Sequence, residues 1–414
     1  MQNRTKKIII AALLGAFAIL TCLSLDGGHR ETLKITIGPE VKILPEGLQP
    51  FMFLSRQGTL VVQAQLPTTE GKEFPGRWGT VRSTDGGRSW QNWAPAKEQG
   101  EGPFIEGSVG QLKDGTILIL EWVARGPKAD GNFIGKVWES KDEWKTISGP
   151  FEAKFYLPEG KGGFDDGGKP VDGLFIHRTL MEMPDGSLLA TAYGWFKEDT
   201  VPSSYMKNMD KFRSLLLRSK DRGRNWSLVS TIAVDHTMGE EGFNEPVLIR
   251  LSQGKHKGRF IVLLRTGSNK AKWPNPLYQT ESDDDGKTWI KPHPLVFDGV
   301  NPDLIEMKNG ILVAGFGWRT KESREKVPQG QPRRLGQEHG NYVAFSLDQG
   351  ATWTHVTRVT QEPTTAYVTV RELRPNQLFL VYDIGDGWGR KWVGFEQGIE
   401  RAIGGRLLEV LKQQ

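Results

Sequence analysis

The sequence predicts an all-β protein, a six-bladed β-propeller of four-stranded antiparallel blades, and three observations carry that prediction. An apolar hairpin pattern recurs six times along the chain. The copies start roughly 55 to 75 residues apart, enough for four short strands and their loops. A polar turn ending in tryptophan follows most of the hairpins. A chain of 414 residues is long for one domain, but propellers often run longer as one unit. With 25% charged and 10% aromatic residues, it is neither a disordered nor a collagen-like chain.

Residues 1–22 read as a leader. Arg4, Lys6 and Lys7 precede an apolar run from Ile8 to Leu20 with no acidic residue, the pattern of an export signal. Ala16-Phe17-Ala18 fits a small-x-small cleavage site. Ile19-Leu20-Thr21-Cys22 resembles a lipoprotein box that would anchor the chain by lipid at Cys22, and an uncleaved anchor is a third reading. The expected location is therefore periplasmic, secreted or lipid-anchored at the cell surface. Losing the leader takes the formal charge from +5 to +2, so the basic pI near 9.0 belongs largely to the leader. No later segment has about 18 consecutive apolar residues, so no membrane span is expected in the rest of the chain.

Residues 32–414 then form the propeller. Thr32 to Ile37 alternate, which suits an edge strand completing the last blade and covering a sheet edge. The six hairpins run Pro50 to Gln65, Glu106 to Trp122, Arg178 to Tyr193, Glu245 to Arg265, Asp303 to Trp318, and Tyr367 to Asp383. Their β-branched and aromatic members favour strands. Four turns have the form S-x-D-x-G-x-x-W: Ser83 to Trp90, Ser219 to Trp226, Ser282 to Trp289 and Ser346 to Trp353. Ser140 to Trp144 reads as a shortened copy. Ser and Asp side chains bond the turn backbone, glycine supplies the positive φ, and tryptophan packs between sheets. Two stretches, Gly149 to Leu174 and Lys321 to Gly340, read as long loops. Gly163 to Pro170 matches G-x-x-x-x-G-K, but proline ends it and two aspartates would repel a phosphate.

The repeated turn is the Asp-box, or bacterial neuraminidase repeat, and residues 32–414 resemble the sialidase superfamily of six-bladed β-propellers. The box is structural and lies on the outer rim. Asp85, Asp221, Asp284 and Asp348 are therefore expected to have no catalytic role.

In a propeller the innermost strands start, and their partners end, at the central mouth. The groups expected there are Glu106, His177, Arg178, Tyr193, Glu245, Arg265, Asp303, Trp318, Arg319, Tyr367 and Asp383, with Gln49, Gln65, Glu121, Asn244 and Asn301. Carboxylates with arginines and aromatics suit sugar binding and glycoside cleavage. The resemblance assigns roles to some. Asn244-Glu245-Pro246 followed by Arg265, and Tyr367 followed by Asp383, match the family's glutamate–arginine and tyrosine–carboxylate places. Tyr367 would attack the anomeric carbon and Glu245 would draw off its proton, because a phenol with pKa near ~10 is mostly protonated at neutral pH. Arg265 would hold an anionic substituent. General acid help would come from Glu106, Glu121 or Asp303.

The family's three arginines grip the carboxylate of sialic acid. Here Gln49-Pro50 stands at the first place and Asn301-Pro302-Asp303 at the third, with Arg319 one strand later. Where the family's acid/base aspartate lies, Pro67 to Gly79 offers only Glu70 and Glu73. The expected activity is an exported, exo-acting glycosidase on a terminal sugar, with altered specificity. A polysaccharide lyase using His177, Arg178 and Tyr193, or a propeller that only binds glycan or protein, are the alternatives. The expected partner is carbohydrate and not nucleic acid, and the chain is expected to be a monomer. A single cysteine and no ligand-spaced cluster imply no disulfide framework, no metal and no cofactor.

Overall fold

A computed structural model describes residues 32–66, 77–98, 102–106, 108–164, 170–203, 208–237, 240–267, 276–318, 340–361, 364–385 and 402–413. The leader with Cys22, Glu70, Glu73, Arg319 and residues 321–339 lie outside them. Every element assigned in the described residues is a strand. No helix there is long and apolar enough to cross a membrane.

Four sheets have four antiparallel strands each. The first comprises Leu48–Leu54, Leu60–Leu66, Arg77–Ser83 and Gln91–Glu98. The second comprises Asn244–Arg250, Phe260–Arg265, Pro276–Ser282 and His293–Asp298, and the third Val300–Glu306, Leu312–Trp318, Gly340–Ser346 and Thr354–Arg358. In the fourth, Val368–Arg374, Gln377–Ile384 and Ala402–Gln413 are completed by Thr32–Leu44, so the first described strand pairs with the last.

The region between the first and second sheets is a ten-stranded sheet, not two separate four-stranded ones. It contains two four-strand runs, beginning at Ser108–Gln111 and at Gly173–Glu182. They fuse because Lys154 to Tyr156 pair in parallel with Asn225 to Ser227, and Arg178 pairs with Ser108. The stretch expected as a loop from Gly149 is largely strand: Ser148–Tyr156 is the outer member of the first run.

First strands of neighbouring sheets touch in sequence: Leu48–Leu54 meets Val368–Arg374, which meets Val300–Glu306, then Asn244–Arg250, then Gly173–Glu182, then Ser108–Gln111. Burial between the sheets explains this. Leu60–Leu66, Leu188–Phe196, Phe260–Arg265 and Leu312–Trp318 are almost entirely buried. Met183, Leu189, Phe243, Leu248 and Phe260 form one of several apolar clusters. Each fully buried side chain of this size contributes roughly 1.5–3 kcal/mol before entropy is counted.

The Asp-box turns form as expected. In each intact copy the serine hydroxyl lies 2.8 Å from the aspartate Oδ1, and the glycine N–H donates to the serine oxygen at 2.8–3.0 Å. The turn at Ser140 is not shortened. Trp144 occupies the glycine place, with φ 66° and its N–H donating to Ser140 Oγ at 2.9 Å. Thr146 then bonds Asp142 as Thr288 and Thr352 bond theirs, and Ile147 stands at the tryptophan place.

Candidate active site

The same backbone irregularity opens most of the first strands. Pairing registers break at Leu48/Phe51, Ile176/Leu180, Asn244/Val247 and Val300/Asp303. Gln49, Arg178, Glu245 and Asn301 sit in those breaks with φ between 43° and 60°, and Ala366 precedes the sixth hairpin at 71°. Such bulges turn a side chain out of the ladder, and positive φ costs a non-glycine residue about 1 kcal/mol or more. Three of the five precede proline (Pro50, Pro246, Pro302), which lacks an N–H and so fits where the ladder is broken.

These bulges bring Tyr367, Glu245 and Arg265 together. The Tyr367 hydroxyl donates to Glu245 Oε1 at 3.3 Å, and Arg265 Nη1 donates to the same oxygen at 2.5 Å. The N–H of Asn301 donates to Glu245 Oε2 at 3.0 Å. Arg265 also lies 3.3 Å from Glu241, whose Oε2 accepts from Asn244 Nδ2 at 2.7 Å. All of these groups are buried.

Glu106, Tyr193, His177 and Arg178 share the same electrostatic neighbourhood. Burial, reinforced by the Glu245 charge and partly opposed by Arg178, pushes the Glu106 carboxyl up to about 8. Glu106 has no hydrogen-bond partner among the described residues. Burial, with Glu245, Tyr367 and Glu106 nearby, raises the Tyr193 phenol well above its usual value. Burial also lowers His177 to about 3, so its ring is neutral, lying edge-on to Tyr193 at 5.9 Å.

Arg178 spans the centre. Its guanidinium donates to the carbonyls of Pro302 and Val368 at 3.1 Å, lies 3.7 Å from Asp303 and sits over the Phe51 ring. Asp303 accepts from Arg371 at 2.7 Å and from the Val370 N–H at 2.8 Å. Burial would raise its carboxyl, but Arg371 and Arg178 outweigh that and hold it low. It is therefore an ionised anchor, unsuited to donating a proton. Glu121 pairs with Lys136 at 3.4 Å on a part-exposed edge.

Two expected groups stand apart. Asp383 accepts from the N–H groups of Gln49 and Thr365 at 3.0 and 2.9 Å, and from the hydroxyls of Thr364 and Thr365. It joins the first and last sheets, and no hydrogen bond links it to Tyr367. Trp318 is 2% exposed within the apolar core of the 244–298 and 300–358 sheets. Glu241 and Arg371 escaped the sequence reading. Glu241 lies just ahead of the Asn244-Glu245-Pro246 motif, and Arg371 continues the alternation after Val368. Clefts of about 410 and 500 Å³ line the opposite hairpin ends around Gln253 to Arg259, and contain none of these residues.

Residues 170–327 match the family model described as the BNR repeat-like domain. No curated protein matches the sequence. Among solved structures, a Dyadobacter fermentans protein of unknown function superposes with TM-score 0.63 at 18% identity, over 91% of this chain and 99% of that one. A Hadza microbial sialidase gives 0.56 at 14% identity, covering 89% and 66%. The Penicillium chrysogenum α-L-arabinanase gives 0.56 at 15%, covering 90% and 98%. The fold is thus that of the β-propeller glycosidases.

Proposed function

We propose that this chain is an exported, exo-acting glycoside hydrolase that uses Tyr367 as nucleophile and Glu245 as its base, on a six-bladed propeller. The two four-strand runs of the long sheet, with the four separate sheets, supply the six blades. The observation that carries the reading is the Tyr367–Glu245 contact, made across 122 residues of sequence. A phenol becomes a competent nucleophile when a carboxylate can take its proton.

In the first step Tyr367 Oη bonds to the anomeric carbon as the glycosidic C–O bond breaks. The phenol proton passes to Glu245 Oε1, and the departing oxygen takes a proton from Glu106. Water then attacks the anomeric carbon and gives its proton to the Glu106 carboxylate. The C–Oη bond breaks, and Tyr367 recovers its proton from Glu245. Glu106 suits the acid role because it is buried, unpaired and protonated at neutral pH. Arg265 and the Asn301 N–H hold the Glu245 carboxylate in place.

The neighbours of this fold include a sialidase and an arabinanase, so the fold alone leaves the sugar open. The test is incubation with a panel of sialylated, uronic and neutral glycans, reading released sugars by mass spectrometry beside the Tyr367→Phe and Glu245→Gln proteins. A monosaccharide released by the native chain and by neither variant is the expected result. A Tyr367→Phe protein with native turnover would sink the nucleophile assignment. Residues 1–22 direct export on this reading, which cell fractionation of the full chain checks.

A further inference from the structure

At the centre, charge and hydrogen-bonding capacity are distributed unequally. Three guanidinium groups stand there among the described residues, and each faces a carboxylate. Arg178 and Arg371 lie 3.7 and 2.7 Å from Asp303, and Arg265 lies 2.5 and 3.3 Å from Glu245 and Glu241. Three cations thus meet three anions, and Arg178 donates to two backbone carbonyls besides. Apart from Arg178 Nε, the unpartnered atoms here belong to neutral groups. Both amide atoms of Asn301, Oδ1 of Asn244 and both ring nitrogens of His177 are buried without a hydrogen-bond partner. The Pro246 carbonyl lies near the His177 ring and opposes the fall of its pKa.

A buried polar atom without a partner costs about 1–3 kcal/mol, so such atoms cluster where a ligand or water will satisfy them. Amides and a neutral imidazole match hydroxyl groups, which both donate and accept. A carboxylate arriving here would find the charge of each of these guanidinium groups already faced by a carboxylate, and would crowd Glu245 and Asp303. Two bulge positions that could have carried a cation hold the amides of Gln49 and Asn301 instead.

We propose, building on the glycosidase reading above, that the sugar seated against Tyr367 is uncharged, a neutral pentose or hexose recognised through its hydroxyls. Sugars bearing a carboxylate are disfavoured because each of the three guanidinium groups described there already faces a carboxylate. Asn301 and His177, directly or through one water, contact the ring hydroxyls.

The test uses matched pairs that differ only in charge: methyl glucoside against methyl glucuronide, methyl galactoside against methyl galacturonide, and arabinoside and sialoside probes. Binding is measured calorimetrically on the Tyr367→Phe protein, which holds the probe without turning it over. Every neutral probe that binds should do so at least about tenfold more tightly than its acidic partner. Asp303→Asn, which releases Arg178, should narrow that ratio severalfold. If Asp303→Asn fails to fold, Glu241→Gln makes the same test through Arg265. An acidic probe or the sialoside bound as tightly as the neutral ones would overturn the proposal, and so would failure of every neutral probe to bind. Neutral preference without turnover by the native chain would remove the hydrolase reading and leave this inference standing. Turnover of an acidic sugar would do the reverse.

Discussion

The outer turns and the inner bulges are both repeated around the molecule, but they repeat different things. On the rim the side chains recur with the backbone: serine to aspartate at 2.8 Å, then aspartate to the N–H four residues on at 2.8–3.0 Å. At the centre only the backbone recurs. Gln49, Arg178, Glu245, Asn301 and Ala366 share positive φ and nothing else. A repeated side chain supports the chain locally, so any unit needs the same one. A repeated bulge with changing side chains presents a different group from each sheet toward one place. Support and chemistry are therefore separable by mutation.

The largest effect is expected at Tyr367. Replacing it with phenylalanine removes the hydroxyl that bonds Glu245 at 3.3 Å and keeps the ring, which should change stability by about 1 kcal/mol. Turnover of the substrate should fall by roughly a thousandfold or more, since the nucleophile is gone. Paired kinetics and thermal melts check this. A drop in stability matching the drop in rate would make Tyr367 a packing residue and erase the contrast with the rim.

Glu106→Gln should follow, lowering kcat/KM by about a hundredfold to ten-thousandfold on substrates with poor leaving groups. The native enzyme should lose activity as pH rises through about 8, where Glu106 gives up its proton, and the variant should lack that limb. The same group affects stability. Its folded pKa is raised from 4.5 to about 8, so the contribution is complete below pH 4.5 and disappears as pH rises toward 8. His177 acts oppositely: depressed from 6.5 to about 3, it costs stability as pH falls from 6.5 toward 3. Melts across pH on Glu106→Gln should show a flatter slope between pH 4.5 and about 8. An unchanged slope would mean that Glu106 is ionised in the fold.

Much of the centre was legible in the sequence, for local reasons. Glu245 sits in an Asn-Glu-Pro opening, and Arg265 ends the partner strand. The partners that complete the site were not legible, because the fold draws them from distant sheets. Arg178 finds Val368 190 residues away, and Asp303 finds Arg371 in the next sheet. Trp318 was expected at the mouth because it ends the partner strand of the fifth hairpin. Leu312–Trp318 is buried along its whole length, so neither face is marked. Asp383 has the right residue type at the right strand end, yet two threonines just before the sixth hairpin claim its carboxylate. Trp144 misled through spacing. It followed Asp142 closely enough to read as the box tryptophan, while the turn needed only a residue able to take positive φ there.

On the rim, Asp284→Ala should lower the melting temperature and leave KM and kcat unchanged. Asp284 Oδ1 accepts from the N–H groups of Lys287 and Thr288, and Oδ2 from the Thr288 hydroxyl, which together hold its pKa at about 2. Acid should therefore weaken the native turn only as pH falls from the ordinary carboxylate range toward 2. A kinetic defect in this variant would show that the rim reaches the centre and would break the separation.

The smallest effect is expected at Gly223, and it tests what holds the rim turn. The residue has φ 83°, and an added Cβ would come no closer than 3.5 Å to the Trp226 ring. Space is available, so Gly223→Ala should cost only the left-handed backbone penalty, about 1 kcal/mol. Trp144 already occupies the equivalent place at φ 66° while keeping its bond to Ser140. The serine–aspartate bonds, not the absence of a side chain, then fix the turn. A loss well above about 2 kcal/mol on chemical denaturation would reverse that order. Glycine would then be the requirement, and Trp144 would be a strained exception held by its packing against Phe53.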